Sequence, residues 1–306
     1  MSRESKIEIL LDRAHMLATA RIFFKKARVV EVDCPALSRL ASVDAHIDLV
    51  EATPLGDRAF LHSSPEYGMK RLLAAGIGDI FQISHVFRDG EFGPKHNPEF
   101  TICEWYREGI SFEEMMKETC SFIQLFVGKK QIEIKSYERL FLEYLAINPF
   151  TATLEELQKI SGESFVDRDD QLNLLLATKV EPHLGQKKLT VLAYYPPSQA
   201  ALAKTRKLDG HEVAERFEVY CDGIELANGY HELQDHEEQR RRFQEANCLR
   251  LKMGKKQLPC DERFLEALQK GLPECCGVAV GFDRLMMVRH NKKSLSDVMP
   301  FVWDEA

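Results

Sequence analysis

Between Phe87 and Arg107 the chain reads Phe-Arg-Asp-Gly-Glu-Phe-Gly-Pro-Lys-His-Asn-Pro-Glu-Phe-Thr-Ile-Cys-Glu-Trp-Tyr-Arg. Arg88 leads into a stretch crowded with Gly, Pro and charge, and His96 and Asn97 lead out of it. Glu104 and Tyr106 then stand two apart, which puts them on one face of any strand that carries them. An arginine fork grips phosphate oxygens, and a carboxylate beside a phenol makes a polar wall. The combination suits an anionic, hydrogen-bonding ligand such as a nucleoside triphosphate.

Charged residues recur beside strand-like segments further on. Glu218 and Glu225 flank a Cys221-Asp222-Gly223 turn, and Arg284 follows the small-residue run Gly277-Val278-Ala279-Val280-Gly281. Taken singly, a strand-end arginine or glutamate is a solvated or salt-bridged surface group. Two arginines with two acids make ATP with magnesium attractive, because carboxylates hold a metal that usually keeps several waters. Glu225 has the better claim of the two acids. Apolar and small neighbours surround it, from Gly223 to Gly229, and an acid embedded there needs a partner.

The elements that must position these residues follow from periodicity. Ile7, Leu10, Leu11, Ala14, Leu17, Ala18 and Ile22 recur at helical spacing, which predicts an amphipathic helix over 4–28. A strand from Val29 ends at Pro35, and another runs Ala59–Leu61 into Ser63-Ser64-Pro65-Glu66, where proline and glutamate suit the first turn of a helix reaching Ala75. The hairpin occupies 80–107. Residues 111–178 read as mostly helical, near 112–127, 136–146, 153–160 and 168–178. Strands return at Leu189–Tyr194, Ala214–Cys221 and Gly223–Asn228, followed by helices over about 235–252 and 261–270 and the closing 277–285 segment. Strands at both ends with helices between predict one α+β domain over 1–306, carrying a helical insertion at about 111–185.

Bulk properties narrow the class. The chain has 306 residues, 44% hydrophobic and 29% charged, with no apolar run long enough for a membrane span. Its first residues, Met-Ser-Arg-Glu-Ser-Lys-Ile-Glu, lack the apolar core of a secretory signal, so none is expected. None of its 8 cysteines forms a Cys-x-x-Cys pair, so a structural zinc is not expected and a reducing, cytoplasmic setting is. A net charge of −7 argues against a general nucleic-acid binder.

The residues Phe87-Arg88, His96-Asn97-Pro98-Glu99-Phe100-Thr101 and Glu104 resemble motif 2 of the class II aminoacyl-tRNA synthetases of the lysine type. Gly277 to Leu285 resembles motif 3, and Arg21 to Pro35, with Phe24, Glu31, Val32 and Asp33, resembles a degraded motif 1, the dimer-forming segment. Gly223 to Leu233 is similar to the strand that precedes motif 3. These likenesses cover the chain nearly end to end. The motif 1-like stretch begins at Arg21, so no anticodon-binding domain is expected, and Gln199-Ala200-Ala201-Leu202-Ala203 is similar to the lysyl-tRNA synthetase paralogues that modify elongation factor P.

What the resemblance implies is a class II catalytic fold, an antiparallel sheet flanked by helices. It also implies ATP-dependent activation of (R)-β-lysine, or lysine, as an adenylate, with transfer to a lysine side chain of elongation factor P. Arg88 and Arg284 would act as the catalytic, phosphate-binding arginines. Glu91, His96, Asn97, Glu225, Leu226 and Gly281 would complete the ATP site, and Glu218 with Glu225 would hold Mg2+. Ser64, Pro65, Glu66, Glu104, Tyr106, Asn228, Glu232 and Ala279 would surround the substrate. A homodimer is implied; membrane association and tRNA binding are not.

Two departures from the family pattern stand out. Lysine-type synthetases read Arg-Asn-Glu-Gly where this chain has Arg88-Asp89-Gly90-Glu91, so the glutamate is displaced by one residue. They have glycine where this chain has Ala279, and a methyl there would narrow the pocket. Arg28 also stands where motif 1 usually has glycine. Two other readings remain: a minimal lysyl-tRNA synthetase, revived by charging of tRNA, and a non-catalytic amino-acid-binding regulator, eliminated by lysine-dependent pyrophosphate exchange.

Overall fold

The computed structural model describes residues 3–306. Its elements, in chain order, are α1 (Arg3–Ala27), β1 (Val30–Glu31), β2 (Leu37–Ser38), β3 (Glu51–Ala52), β4 (Ala59–Leu61), α2 (Glu66–Ala74), β5 (Ile80–Phe87) and β6 (Glu99–Glu108). Then come α3 (Phe112–Val127), β7 (Ile132–Ser136), α4 (Tyr137–Leu145), α5 (Leu154–Ser161), α6 (Arg168–Leu175), β8 (Leu189–Tyr195), β9 (Thr205–Leu208), β10 (His211–Cys221) and β11 (Ile224–His231). The chain closes with α7 (His236–Lys252), α8 (Glu262–Gly271), β12 (Cys275–Gly281) and α9 (Phe282–Arg289). Contacts divide it into two compact units. One comprises the residues up to Ile110 together with Leu233–Ala306; the other is Ser111–Glu232.

In the first unit the strands run β1-β5-β6-β12, with β1 parallel to β5 and the rest antiparallel. The expected hairpin is there: β5 pairs with β6 from Ile80↔Tyr106 to Phe87↔Glu99. Aromatic packing fixes α1 on this sheet. Phe24 is wholly buried, stacks on Phe81 at 4.2 Å between ring centroids and lies 5.2 Å from Trp105. A second aromatic group joins α2, α7 and α8, with Tyr67 stacked on Phe264 at 4.4 Å and near Phe243. The first expected strand, from Val29 to Pro35, shrinks to Val30–Glu31. Beyond it the chain is held by the buried Gln82 amide, which accepts from Cys34 N–H (2.7 Å) and donates to Cys34 O (3.2 Å). Arg28, just after α1, sits at φ 59°, the left-handed region where glycine is normally found.

In the second unit the order is β11-β10-β8-β7, with β9 paired to β10. Its core lies between β8, β10 and the helices α4–α6, where Tyr137, Phe141, Leu172, Leu175, Leu192, Tyr195 and Tyr220 are all buried. Capping boxes start two of its helices, Ser111 with Glu114 at α3 and Thr153 with Glu156 at α5. Two strands of this unit were not anticipated. Ile132–Ser136, within the stretch expected to be helical, pairs parallel with β8, and the polar Thr205–Leu208 pairs with β10.

Candidate active site

The loop between β5 and β6 is pinned at several points. Asp89 N–H donates to Asp48 O (2.8 Å), and Gly93 and His96 exchange backbone hydrogen bonds of 3.0 and 3.2 Å. Gly90 takes φ +75°, a turn conformation that explains glycine between Asp89 and Glu91. The turn brings Glu91 back to Arg88, 3.6 Å from Nη1, so the displaced glutamate lies beside the arginine. The Arg88 guanidinium also lies over the Phe100 ring at 5.1 Å. Its Nε is buried with no hydrogen-bond partner among the described residues. A buried donor left without an acceptor is costly, and an anion would relieve it.

Arg284, in the first turn of α9, reaches the same loop. Its Nη2 lies 3.0 Å from His96 Nε2, and its Nε points to Lys95 O at 3.5 Å. Burial lowers the His96 pKa, and the Arg284 charge lowers it further. His96 is thereby kept neutral, free to accept from the guanidinium. Two arginines and a neutral histidine thus gather on one loop.

Asn97 has a different occupation. Its Nδ2 donates to Glu99 O (2.6 Å) and its Oδ1 accepts from Trp303 N–H (2.9 Å), so both ends of the amide hold the chain. Gly281 precedes Arg284 closely, and a Cβ there would touch Arg284 carbons at 3.8–3.9 Å without a clash.

The expected wall is built as the period-two spacing implies. Glu104 is buried, at 2% exposure, and its carboxylate accepts from Tyr106 OH and from Ser64 Oγ, both at 2.7 Å. Ser64 Oγ in turn accepts from Glu66 N–H (3.0 Å), so the start of α2, with Pro65 at its N-cap, is tied to β6. Ala279 is directly opposite Glu104 and Gly277 opposite Tyr106, which sets the Ala279 methyl on the face of the carboxylate. Glu66 is already paired: Lys70 Nζ, on a side chain 1% exposed, lies 2.6 Å from its Oε1. Lys70, which the sequence did not single out, is thereby tied to one of the expected substrate-facing residues. Its i,i+4 spacing from Glu66 on a helix was the available signal.

In the second unit, β10 and β11 carry the other expected residues. Glu218 is opposite Asn228, Arg216 opposite Tyr230, and past a bulge at Val219/Tyr220 Tyr220 is opposite Glu225. The bulge restores one shared face, a polar row of Arg216, Glu218, Tyr220, Glu225, Asn228 and Tyr230. Glu218 accepts from Arg216 Nη2 and Tyr220 OH, both at 2.6 Å. Burial opposes the Arg216 charge, but Glu218 outweighs it and the guanidinium pKa is raised. Arg216 and Tyr220 were missed, though both lie two residues from Glu218 along the strand. Asn228 Nδ2 donates to Tyr230 OH (3.2 Å), while its Oδ1 is buried with no hydrogen-bond partner. Leu226 is buried, and Glu232, 1% exposed, forms a backbone bridge with Ala203.

Among the described residues no group of three or more His, Cys, Asp or Glu could hold a metal ion. Two carboxylates on one face, Glu218 and Glu225, suit instead the sparse protein ligation typical of magnesium, which takes its other ligands from phosphate and water. The unpartnered Nε of Arg88 fits a nucleotide phosphate in the same way.

The family described as tRNA synthetases class II (D, K and N) matches residues 1–305. The chain is 42% identical over 316 aligned positions to the elongation factor P–(R)-β-lysine ligase of Salmonella typhi, covering 99% of this chain and 97% of that protein. It is 44% identical to the ligase of the same name from Photorhabdus laumondii subsp. laumondii, over 95% of this chain and 94% of that one. A motif match and likenesses of this extent leave one assignment: the chain belongs to the class II tRNA synthetases of the aspartate, lysine and asparagine group.

Proposed function

We propose that this protein uses ATP to activate (R)-β-lysine and joins it to a lysine side chain of elongation factor P. The observation that carries the proposal is the 42–44% identity, over at least 94% of both chains, to relatives that bear that name. The substrate carboxylate attacks the α-phosphorus of ATP, the bond to pyrophosphate breaks, and a mixed anhydride with AMP forms. Arg88 and Arg284 grip the phosphates and offset the charge that develops there. Magnesium, held by Glu225 with Glu218, would supply further neutralisation of the phosphates when bound. Asn97, with its amide engaged within the chain, shapes the loop.

The substrate amines need acceptors in a secluded setting. Glu104, oriented by Ser64 and Tyr106, offers a buried carboxylate, and Asn228 Oδ1 is an acceptor waiting for a donor. Glu66 and Glu232 add carboxylates, that of Glu66 already balanced by Lys70. In the second step the neutral amine of the target lysine attacks the anhydride carbonyl, an amide forms and AMP leaves. No protein nucleophile is required, and alignment of the reactants supplies much of the acceleration. The chain works in the cytoplasm as one 1–306 catalytic domain and as a homodimer. Pyrophosphate exchange tests the activation step: exchange that (R)-β-lysine supports better than α-lysine is the expected result, and exchange with neither would overturn it.

A further inference from the structure

Two neighbouring residues of α1 grip the two ends of α9, the helix that carries Arg284. At the far end, Asp12 accepts from Arg289 Nη2 (2.9 Å) and Nε (2.5 Å), and from His290 Nε2 (2.8 Å). At the near end the contact is buried. Arg13 is 9% exposed and Asp283 2%, and Arg13 Nη1 lies 2.5 Å from Asp283 Oδ1, an ion pair without hydrogen-bond angles. Arg13 Nη2 donates to Thr101 Oγ1 (2.9 Å), and Thr101 N–H donates to Asp283 Oδ2 (2.6 Å). The guanidinium also lies over the Phe282 ring at 5.0 Å. One arginine therefore closes a ring with Asp283, one residue before Arg284, and with Thr101, three residues before Glu104.

We infer that Arg13 is a positioning residue for adenylate formation: it locks the first turn of α9 to β6 and so sets where the Arg284 guanidinium meets ATP. The physical case rests on burial and geometry. A buried ion pair is weak evidence for stability, because desolvation offsets much of the attraction. Its value lies in fixing one arrangement, and a planar fork reaching two elements fixes it better than an ammonium could. A small displacement of a phosphate-binding group is enough to slow a reaction that depends on alignment. Asp12 serves as the contrast, since it ties the end of α9 remote from Arg284.

The inference rests on the adenylation reading, and the test separates the two. ATP binding is measured by calorimetry, and pyrophosphate exchange by titrating ATP and (R)-β-lysine in turn, on the whole protein and on folded variants. Arg13→Met is expected to weaken ATP binding and raise the KM for ATP by about tenfold, with the KM for the amino acid held within about twofold. Arg13→Lys should restore part of the loss. Asp12→Asn, a comparable deletion at the other end, should leave ATP binding within about twofold of the parent. If Arg13 acts through Arg284, the Arg13→Met/Arg284→Ala double variant binds ATP no more weakly than Arg284→Ala alone. Should Arg13→Met fail to fold, Thr101→Val removes one arm of the ring and is expected to shift the KM for ATP in the same direction. Losses that multiply in the double variant, equal effects of Asp12→Asn, or folded Arg13 and Thr101 variants that bind ATP normally would each overturn the positioning role. A parent protein that binds no ATP would instead sink the adenylation reading, and this inference with it.

Discussion

Glu104→Gln tests the amine pocket with little disturbance to the fold. In the structure the Glu104 carboxylate accepts from Ser64 Oγ and Tyr106 OH, each at 2.7 Å, from a position 2% exposed. Glutamine keeps the shape and one acceptor oxygen, and both hydroxyls can rotate to accept from its amide. The change in the protein alone is therefore small, of the order of the net value of one hydrogen bond, about 1 kcal/mol. A bound substrate ammonium sees a larger difference. Leaving a buried charge without its partner costs about 2–5 kcal/mol. At about 1.4 kcal/mol per factor of ten, kcat/KM for the amino acid should fall by roughly 30-fold to several thousandfold. The ATP dependence should scarcely move, since Arg88 and Arg284 are untouched. Pyrophosphate exchange, titrated separately in amino acid and in ATP, reads both, and thermal melting reports the fold. Equal losses for the two substrates in a folded variant would refute the assignment of Glu104 to the amine.

Other outcomes follow from single residues. Ala279→Gly removes a methyl opposite Glu104, and should move the preference between α-lysine and (R)-β-lysine toward α-lysine by about 10- to 200-fold, the worth of one methylene-sized contact; competition in pyrophosphate exchange measures it. Arg28→Gly relieves the strain of a left-handed residue, worth roughly 1–2 kcal/mol, but adds about 0.5–1 kcal/mol of unfolded-chain entropy, so urea unfolding should show a gain of between about 0 and 1.5 kcal/mol. The lowered pKa of His96 means that the unfolded chain takes up this proton first as pH falls below the ordinary 6.5. The stability contribution is full above that value and is lost as pH drops toward the folded pKa, so His96→Asn should show a smaller fall in unfolding free energy between neutral and acid pH than the parent.

Local chemistry made some of this molecule readable and left other parts hidden. Period two put Glu104 and Tyr106 on one face before any fold was known, and the observed hydrogen bond between them is the direct result. The helix 4–28 and the hairpin 80–107 lie within one residue of their expected ends, but the face expected to be buried on the helix is not. Ile7, Leu11 and Ile22 are exposed, and Ile9, Met16, Ala20 and Phe24 face the core instead, because the packing of α1 on the sheet, and not its apolar count, selects the face. Ile132–Ser136 alternates like a strand, yet it is short, lies between long helices, and leaves Ile132 and Ile134 at 37% and 45% exposure. What makes it a strand is parallel pairing with β8, a long-range contact that local sequence does not encode. Thr205–Leu208 has no apolar pattern and depends likewise on its pairing with β10. The same limit applies to the site. Neither the hold of Trp303 on Asn97 nor that of Arg13 on Asp283 can be inferred from spacing, because each joins residues more than 200 positions apart in the chain.

Incubation of the protein with ATP, (R)-β-lysine and intact elongation factor P, followed by mass spectrometry of the factor, tests the central proposal most directly. The factor should gain one β-lysyl unit on a lysine side chain, in an amide that requires ATP and is lost with Arg284→Ala. An unmodified factor in the presence of active adenylate formation, or transfer of the amino acid to tRNA in its place, would contradict it.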